Sequence, residues 1–120
     1  MCVVKKNVVQ EKSYEFALAG VGLYRELCAQ KEYVLSKQFV RSATSIGANV
    51  EEALAAQSRK DFVAKMSIAS KEAREANYWL RLLRDSGFVS EDSVRGLIDL
   101  SIELIKMLAS IVKTSQENLA

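Results

Sequence analysis

Proline is missing from all 120 residues of this sequence, and no other single feature constrains the fold as much. Long helices exclude proline from their interiors, whereas an all-β chain of this length would normally place several prolines in turns and edge strands. Apolar residues make up 49% of the chain and charged residues 27%, which is typical of a folded protein rather than a disordered one. The composition therefore predicts an all-α protein.

The length and the apolar runs of the chain limit its organisation. A chain of 120 residues is long enough for one core and too short for two, so we expect residues 1–120 to form a single domain. No apolar run approaches the roughly 18 to 20 residues that a membrane-spanning helix needs, and residues 1–6 lack a signal-peptide core. We therefore expect a cytoplasmic protein without membrane contact. Cys2 and Cys28 have no metal-ligand spacing, and we expect two free thiols, with Cys28 as a small core residue.

Apolar residues recur at spacings of three and four along four segments: residues 8–30, 34–56, 58–87 and from 90 onward. Ser58 and Ser90 are N-cap residues followed by acidic first turns, and Gly87 ends the third segment. The loops between the segments are only a few residues long. This pattern predicts four helices in an up-down-up-down four-helix bundle.

The first segment carries two apolar lines instead of one. One line contains Tyr14, Ala17, Val21, Tyr24 and Cys28, and the other contains Phe16, Gly20, Leu23 and Leu27. Two lines indicate that this helix is covered on more than one side, either by neighbours in the bundle or by another subunit.

The second segment has a polar seam beside its core line. The seam repeats at four and three and contains Gln38, Ser42, Ser45, Asn49, Glu52 and Ala56. One interpretation is a set of inter-helix hydrogen bonds in which Asn49 fixes the register, as a buried asparagine does in coiled coils. The other is that Ser45, Asn49 and Glu52 line a groove or pore at a subunit boundary.

The third segment combines a regular core line with two other faces. Trp79 lies away from the core line with Ile68, Glu72, Glu75 and Leu82, which indicates either cover for a helix–loop junction or, as we favour, a subunit contact. A stripe opposite the core contains Lys60, Lys71, Arg74, Tyr78 and Arg81. Residues 59–88 hold seven Lys or Arg against four acids, so this is the basic segment. The stripe is either a solvated face or a nucleic-acid-binding surface in which cations follow phosphates and Tyr78 stacks on bases.

Histidine is also absent from the sequence, which removes the commonest general base and the commonest transition-metal ligand. Glu72 and Glu75 lack the histidines that a di-iron bundle site requires. We therefore expect no catalytic residues, no metal and no cofactor.

The sequence resembles the bacterial four-helix-bundle protein family in two stretches. The first is RSATSIGANVEEA, residues 41–53, and the second comprises Ser58, residues 60–62, Lys65, residues 68–69, residues 71–73, Glu75 and residues 78–80. That family was first met as the product of intervening sequences in large-subunit ribosomal RNA genes and is often labelled a ribosomal protein. Residues 13–18 and 35–38 also fit its first two helices. Ala76 departs from the family pattern, where we expect a threonine.

The resemblance implies a ring-like homopentamer and carries no catalytic residues with it. A relative, the accessory variability determinant of diversity-generating retroelements, is a basic pentamer that binds nucleic acid and a reverse transcriptase. Two functions follow as hypotheses. One is a homo-oligomeric accessory protein that associates with RNA or DNA and with a nucleic-acid-processing protein. The other is a protein-interaction scaffold that regulates a partner protein without binding nucleic acid.

Overall fold

A computed structural model gives the structure of residues 7–119, and four α-helices account for most of this range. They are α1 (Val8–Ala29), α2 (Leu35–Leu54), α3 (Arg59–Asp85) and α4 (Glu91–Glu117). Residues 7–119 contain no strand. Each helix packs against the next one in the chain, and α1 also contacts α4, which closes the bundle. The all-α four-helix prediction is confirmed.

Side-chain oxygens cap three of the four helix N-termini. Asn7 accepts a hydrogen bond from the Gln10 backbone N–H at 3.0 Å, and Ser58 accepts one from the Asp61 N–H at 3.0 Å. Ser90 caps α4 in the same way through the Ser93 N–H. Such caps satisfy N–H groups that have no partner inside the helix. The two serine caps are those predicted from the sequence.

The N-terminus of α2 is capped by Glu32, which lies two residues before the N-cap position. Its N-cap residue is Val34, whose side chain cannot accept a hydrogen bond. The Glu32 carboxylate replaces it and accepts hydrogen bonds from the backbone N–H groups of Val34, Leu35 and Ser36, at 3.1, 3.1 and 2.6 Å. One charged group therefore holds the whole first turn of α2.

The C-terminal ends of α1 and α3 share one turn geometry. Gly87 has φ +86°, and the Phe88 N–H donates to the Leu83 carbonyl oxygen at 3.0 Å. At the end of α1, Lys31 takes the same left-handed conformation with φ 67°. Gly87 ends α3 by the predicted left-handed route.

One hydrophobic core runs through all four helices. In α2 and α3 the apolar core positions run from Phe39 to Ala53 and from Met66 to Leu83. Ser42, predicted in the polar seam, and Val63 are also buried. In α1 the line of Phe16, Gly20, Leu23 and Leu27 faces the core. Gly20 allows α1 and α2 to approach closely, because a Cβ atom at this position would lie 3.0 Å from the Ala43 Cβ.

The other apolar line of α1 faces outward. Tyr14 is 67% exposed, Leu18 beside it is 65% exposed and Val21 is 38% exposed. We call Tyr14, Ala17, Leu18, Val21, Tyr24 and Cys28 the outer α1 stripe. The expectation that Cys28 is a core residue is wrong: it is only half-buried, because it lies on this outer side. Cys2 lies outside the described residues.

Candidate nucleic-acid interface

The charged residues of α3 are sorted onto opposite sides of the helix. Glu72 and Glu75 face α2, where Arg41 forms an ion pair with each of them. Partial burial on its own lowers the pKa of Arg41, but its hydrogen bonds and attraction to Glu75 and Glu72 outweigh this effect and raise the pKa. The only other acids of α3 are Asp61 in the first turn and Asp85, which pairs with Arg84. The negative charge in the middle of α3 therefore lies on the α2 side, where the single positive charge of Arg41 offsets part of it.

The predicted basic stripe lies on the other side of α3 and faces solvent. Lys60, Lys71, Arg74 and Arg81 are all exposed. Within residues 7–119, none of the four forms an ion pair with a carboxylate. Cations that form no ion pair keep most of their attraction for a phosphate chain. Arg81 has a carboxylate nearby, because, after Arg84, it is among the groups that lower the pKa of Asp85. The structure thus brings together all four cations that the sequence predicts.

Tyr78 lies within this row of cations, and its ring is accessible. The side chain is 49% exposed, and the Arg81 guanidinium carbon lies 5.9 Å from the ring centroid. A hydrogen bond of 2.9 Å from Arg81 Nε to Asn77 Oδ1 fixes this arginine. An exposed aromatic ring among cations is the combination that binds single-stranded nucleic acid. We call this set the basic stripe: Lys60, Lys71, Arg74, Tyr78 and Arg81.

Trp79 lies on the α2 side of α3 and takes part in the network around Arg41. Its indole N–H donates to Glu75 Oε2 at 3.1 Å, and its ring meets the Tyr78 ring edge-on at 5.1 Å between centroids. The tryptophan is half-buried. Trp79 therefore connects the α2–α3 ion-pair network to the edge of the basic stripe.

The serines and the asparagine of the α2 seam bond to their own helix. The Ser42 hydroxyl donates to the Phe39 carbonyl, and the Ser45 hydroxyl donates to the Arg41 carbonyl. Asn49 Nδ2 donates to the Ser45 carbonyl at 2.8 Å. These hydrogen bonds do not connect α2 to another helix of the chain. Ser42 is fully buried within the bundle, and a role at a subunit boundary stays a prediction for Ser45 and Asn49.

Glu52 is the seam residue that reaches a neighbouring helix. It forms an ion pair of 3.4 Å with Lys65 of α3. This contact and the Arg41 network place the seam and Trp79 on one α2–α3 flank, separate from the basic stripe. Sequence reasoning missed Arg41, because its partners lie 31 and 34 residues away and no local pattern marks such a pair.

Two further observations concern metal binding and membrane-spanning helices. Within residues 7–119, no group of three His, Cys, Asp or Glu side chains could hold a metal ion. None of the four described helices combines the length and hydropathy needed to cross a membrane.

Comparisons with known proteins agree with the resemblance noted in the sequence. The family model described as 23S rRNA-intervening sequence protein matches residues 5–110. A crystal structure of a protein of unknown function from the S23 ribosomal protein family of Bacteroides thetaiotaomicron VPI-5482 is 49% identical, with a TM-score of 0.85. The match covers 88% of this chain and 98% of that one. No curated protein matches the chain. Because the family model spans most of the sequence, this chain belongs to the 23S rRNA-intervening sequence protein family.

Proposed function

We propose that this protein is a non-enzymatic, homo-oligomeric accessory protein of the cytoplasm that associates with RNA or DNA through the basic stripe of α3. The observation that carries the proposal is the separation of charge across α3. Its central acids pair with Arg41 on the α2 side, while Lys60, Lys71, Arg74 and Arg81 are exposed on the other side without carboxylate partners in the described residues.

The cations would act by replacing counterions along a phosphate backbone. Contacts of this kind position a protein on nucleic acid and do not read base sequence. The helix rises 1.5 Å per residue, so the stripe extends about 30 Å from Lys60 to Arg81. That length corresponds to about nine nucleotides of a stacked strand at 3.4 Å per nucleotide.

Self-association would strengthen this weak patch. The outer α1 stripe exposes three large apolar side chains, those of Tyr14, Leu18 and Val21. Apolar patches of this kind mark association surfaces in soluble proteins. A ring of identical chains would repeat the basic stripe and raise the overall affinity through avidity. A pentamer is the number that the resemblance implies.

The proposal is tested by reversing three charges of the stripe. We expect K71E/R74E/R81E to lower the affinity for RNA about 100-fold at 0.1 M salt. Each phosphate contact contributes about 0.7 log units of affinity when the salt concentration falls tenfold from 1 M, so three lost contacts remove about 2 log units. The matched control is R25E/K31E/K37E, which changes the net charge equally at exposed positions of the α1–α2 side.

Circular dichroism and light scattering must show that both variants keep the fold and the oligomer mass. Equal losses in the two variants would mean that only net charge matters, and the stripe would not be the site. Absence of salt-sensitive binding by the wild type would favour the scaffold function instead.

A further inference from the structure

A second set of cations stands beside the basic stripe on α4. Lys106 and Lys113 are exposed, and neither forms an ion pair within the described residues. They are one heptad apart, so they share one side of the helix. The sequence gives little sign of their importance, because residues 89–120 contain only three basic residues against five acids.

The contacts of α4 show which charges lie on which side of that helix. Glu103 faces α1, where its carboxylate pairs with Lys12 at 2.8 Å. Asp92 pairs with Arg95 in the first turns, also at 2.8 Å. Ser101 faces α3, where its hydroxyl accepts a hydrogen bond of 2.9 Å from Asn77 Nδ2. At 100° per residue, Lys106 and Lys113 point to solvent and are turned slightly toward α3 rather than α1.

The same hydrogen bond places the two helices in register. Arg74 and Arg81 lie three residues before and four residues after Asn77, and therefore on the α4 side of α3. Because α3 and α4 are antiparallel neighbours, Lys106 lies at about the height of Glu72, roughly 7.5 Å along the axis from Ser101. Lys113 lies about 18 Å from Ser101, at the height of Lys65.

The α4 lysines thereby fill the longest gap in the stripe. Between Lys60 and Lys71, α3 presents no cation on its outer side, since Lys65 is paired with Glu52 on the α2 side. Lys113 stands beside this gap, and Lys106 stands beside Lys71 and Arg74. Among the exposed acids of α4, Glu103 is paired with Lys12 and Asp92 with Arg95. The remaining three, Glu91, Asp99 and Glu117, lie toward the two ends of the stripe. The middle of this face therefore has the strongest positive potential.

We propose that Lys106 and Lys113 of α4 form, with Lys71 and Arg74 of α3, the centre of a two-helix binding site for single-stranded nucleic acid. This inference rests on the proposed function and specifies its site and ligand. The single strand follows from Tyr78, because bases inside a duplex cannot stack on an exposed side chain at one end of the cluster.

Fluorescence anisotropy with a nine-nucleotide single-stranded RNA tests the proposal, since an oligonucleotide of this length matches the extent of one stripe. We expect K106E/K113E to lower the affinity about 25-fold at 0.1 M salt and to reduce the salt slope by about 1.4. The matched control K31E/K37E should lose far less affinity for the RNA. D99N should bind more tightly than the wild type, and a gain of this kind cannot arise from damage to the fold.

Three outcomes separate this inference from the proposed function. If K71E/R74E/R81E loses binding while K106E/K113E behaves like K31E/K37E, the α4 lysines are outside the site and only the present inference is wrong. If an equal-length duplex binds more tightly than the single strand, the ligand class is wrong. If the wild type binds neither, the proposed function fails as well.

Discussion

At the scale of single residues, Tyr78 and Trp79 show how adjacent positions on one helix acquire different tasks. Trp79 is half-buried and donates its indole N–H to Glu75, so its position is fixed by the α2–α3 network. Tyr78 is turned outward among cations, and Arg81 lies over its ring. Tyr78 therefore presents an exposed ring, which under the proposed function serves as a stacking surface.

We expect Tyr78→Ala to weaken single-strand binding by about 1–3 kcal/mol, because the stacking surface is lost. Tyr78→Phe keeps the ring and should bind like the wild type. Tyr33→Ala removes another exposed tyrosine, in the α1–α2 loop, and should have no effect. Anisotropy titrations of the three variants make the comparison. Equal binding by Tyr78→Ala and wild type would remove Tyr78 from the site.

Glu32 is the residue that links stability to pH. Partial burial on its own raises the pKa of its carboxyl group, but hydrogen bonds from the backbone N–H groups of Ser36, Leu35 and Val34 outweigh that effect and lower the pKa from 4.5. A lowered folded-state pKa means that the stabilisation is complete above the unfolded value and is lost as the pH falls through the folded one.

We expect Glu32→Gln to destabilise the protein at pH 7 by about 1 kcal/mol, the usual value of a helix cap. The deficit should shrink as the pH falls below about 4.5, because the wild type then loses the same charge. Urea unfolding at several pH values measures this, with Glu26→Gln as the exposed control. A deficit that stays constant with pH would show that the charge of Glu32 does not matter.

At the scale of elements, α1 shows what could be predicted from the sequence and what could not. The spacing of Phe16, Leu23 and Tyr14 predicts a helix with two apolar lines, and the structure contains both. Which line faces the core depends on the surface that α2 presents, where Ala43 leaves room for Gly20 and little more. A pattern within one helix carries no information about that surface.

The charged residues of α3 likewise divide into what a pattern within one helix predicts and what depends on its neighbours. Helical periodicity is a local property, so it placed the four cations of the stripe on one face. The ion pairs of Arg41 with Glu72 and Glu75 depend on how separate helices pack and could not be read from spacing. The same holds for the positions of Lys106 and Lys113 beside α3. The caps at Ser58 and Ser90 were predictable because a cap is made within a few residues of chain.

Two glycines of α1 test the close contact with α2. Gly22 is exposed, and a Cβ atom there would meet nothing within 4 Å. We expect Gly22→Ala to stabilise the protein by about 0.5–1 kcal/mol through helix propensity. Gly20→Ala should instead be destabilising, because overpacking typically costs about 1–3 kcal/mol. Thermal or urea unfolding compares the pair, and equal stabilisation by both would mean that the helices do not pack closely at Gly20.

At the scale of the whole molecule, the bundle leaves different surfaces on different sides. The α1 side exposes apolar residues, and the α2–α3 flank carries the Arg41 network. The outer side of α3 and α4 carries six exposed cations that form no ion pair within the described residues. An oligomer formed through α1 would leave the basic face open. The two parts of the proposed function therefore do not compete for one surface.

We expect Leu18→Glu to dissociate the oligomer without unfolding the chain, since Leu18 is 65% exposed and contributes little to the core. Light scattering after size exclusion should return about five chain masses for the wild type and one for the variant. Tyr33→Glu, at an equally exposed loop position, should keep the wild-type mass. A wild type that is monomeric at tens of micromolar would contradict the assembly.

The binding of wild-type protein to single-stranded RNA across a range of salt concentrations tests the central claim most directly. Four exposed cations of α3 that contact phosphates predict a slope of about −2.8 in log affinity against log salt, and the α4 lysines would bring it to about −4.2. Binding should be tight at low ionic strength and similar for unrelated sequences. A flat salt dependence, or no binding at low ionic strength, would contradict the claim.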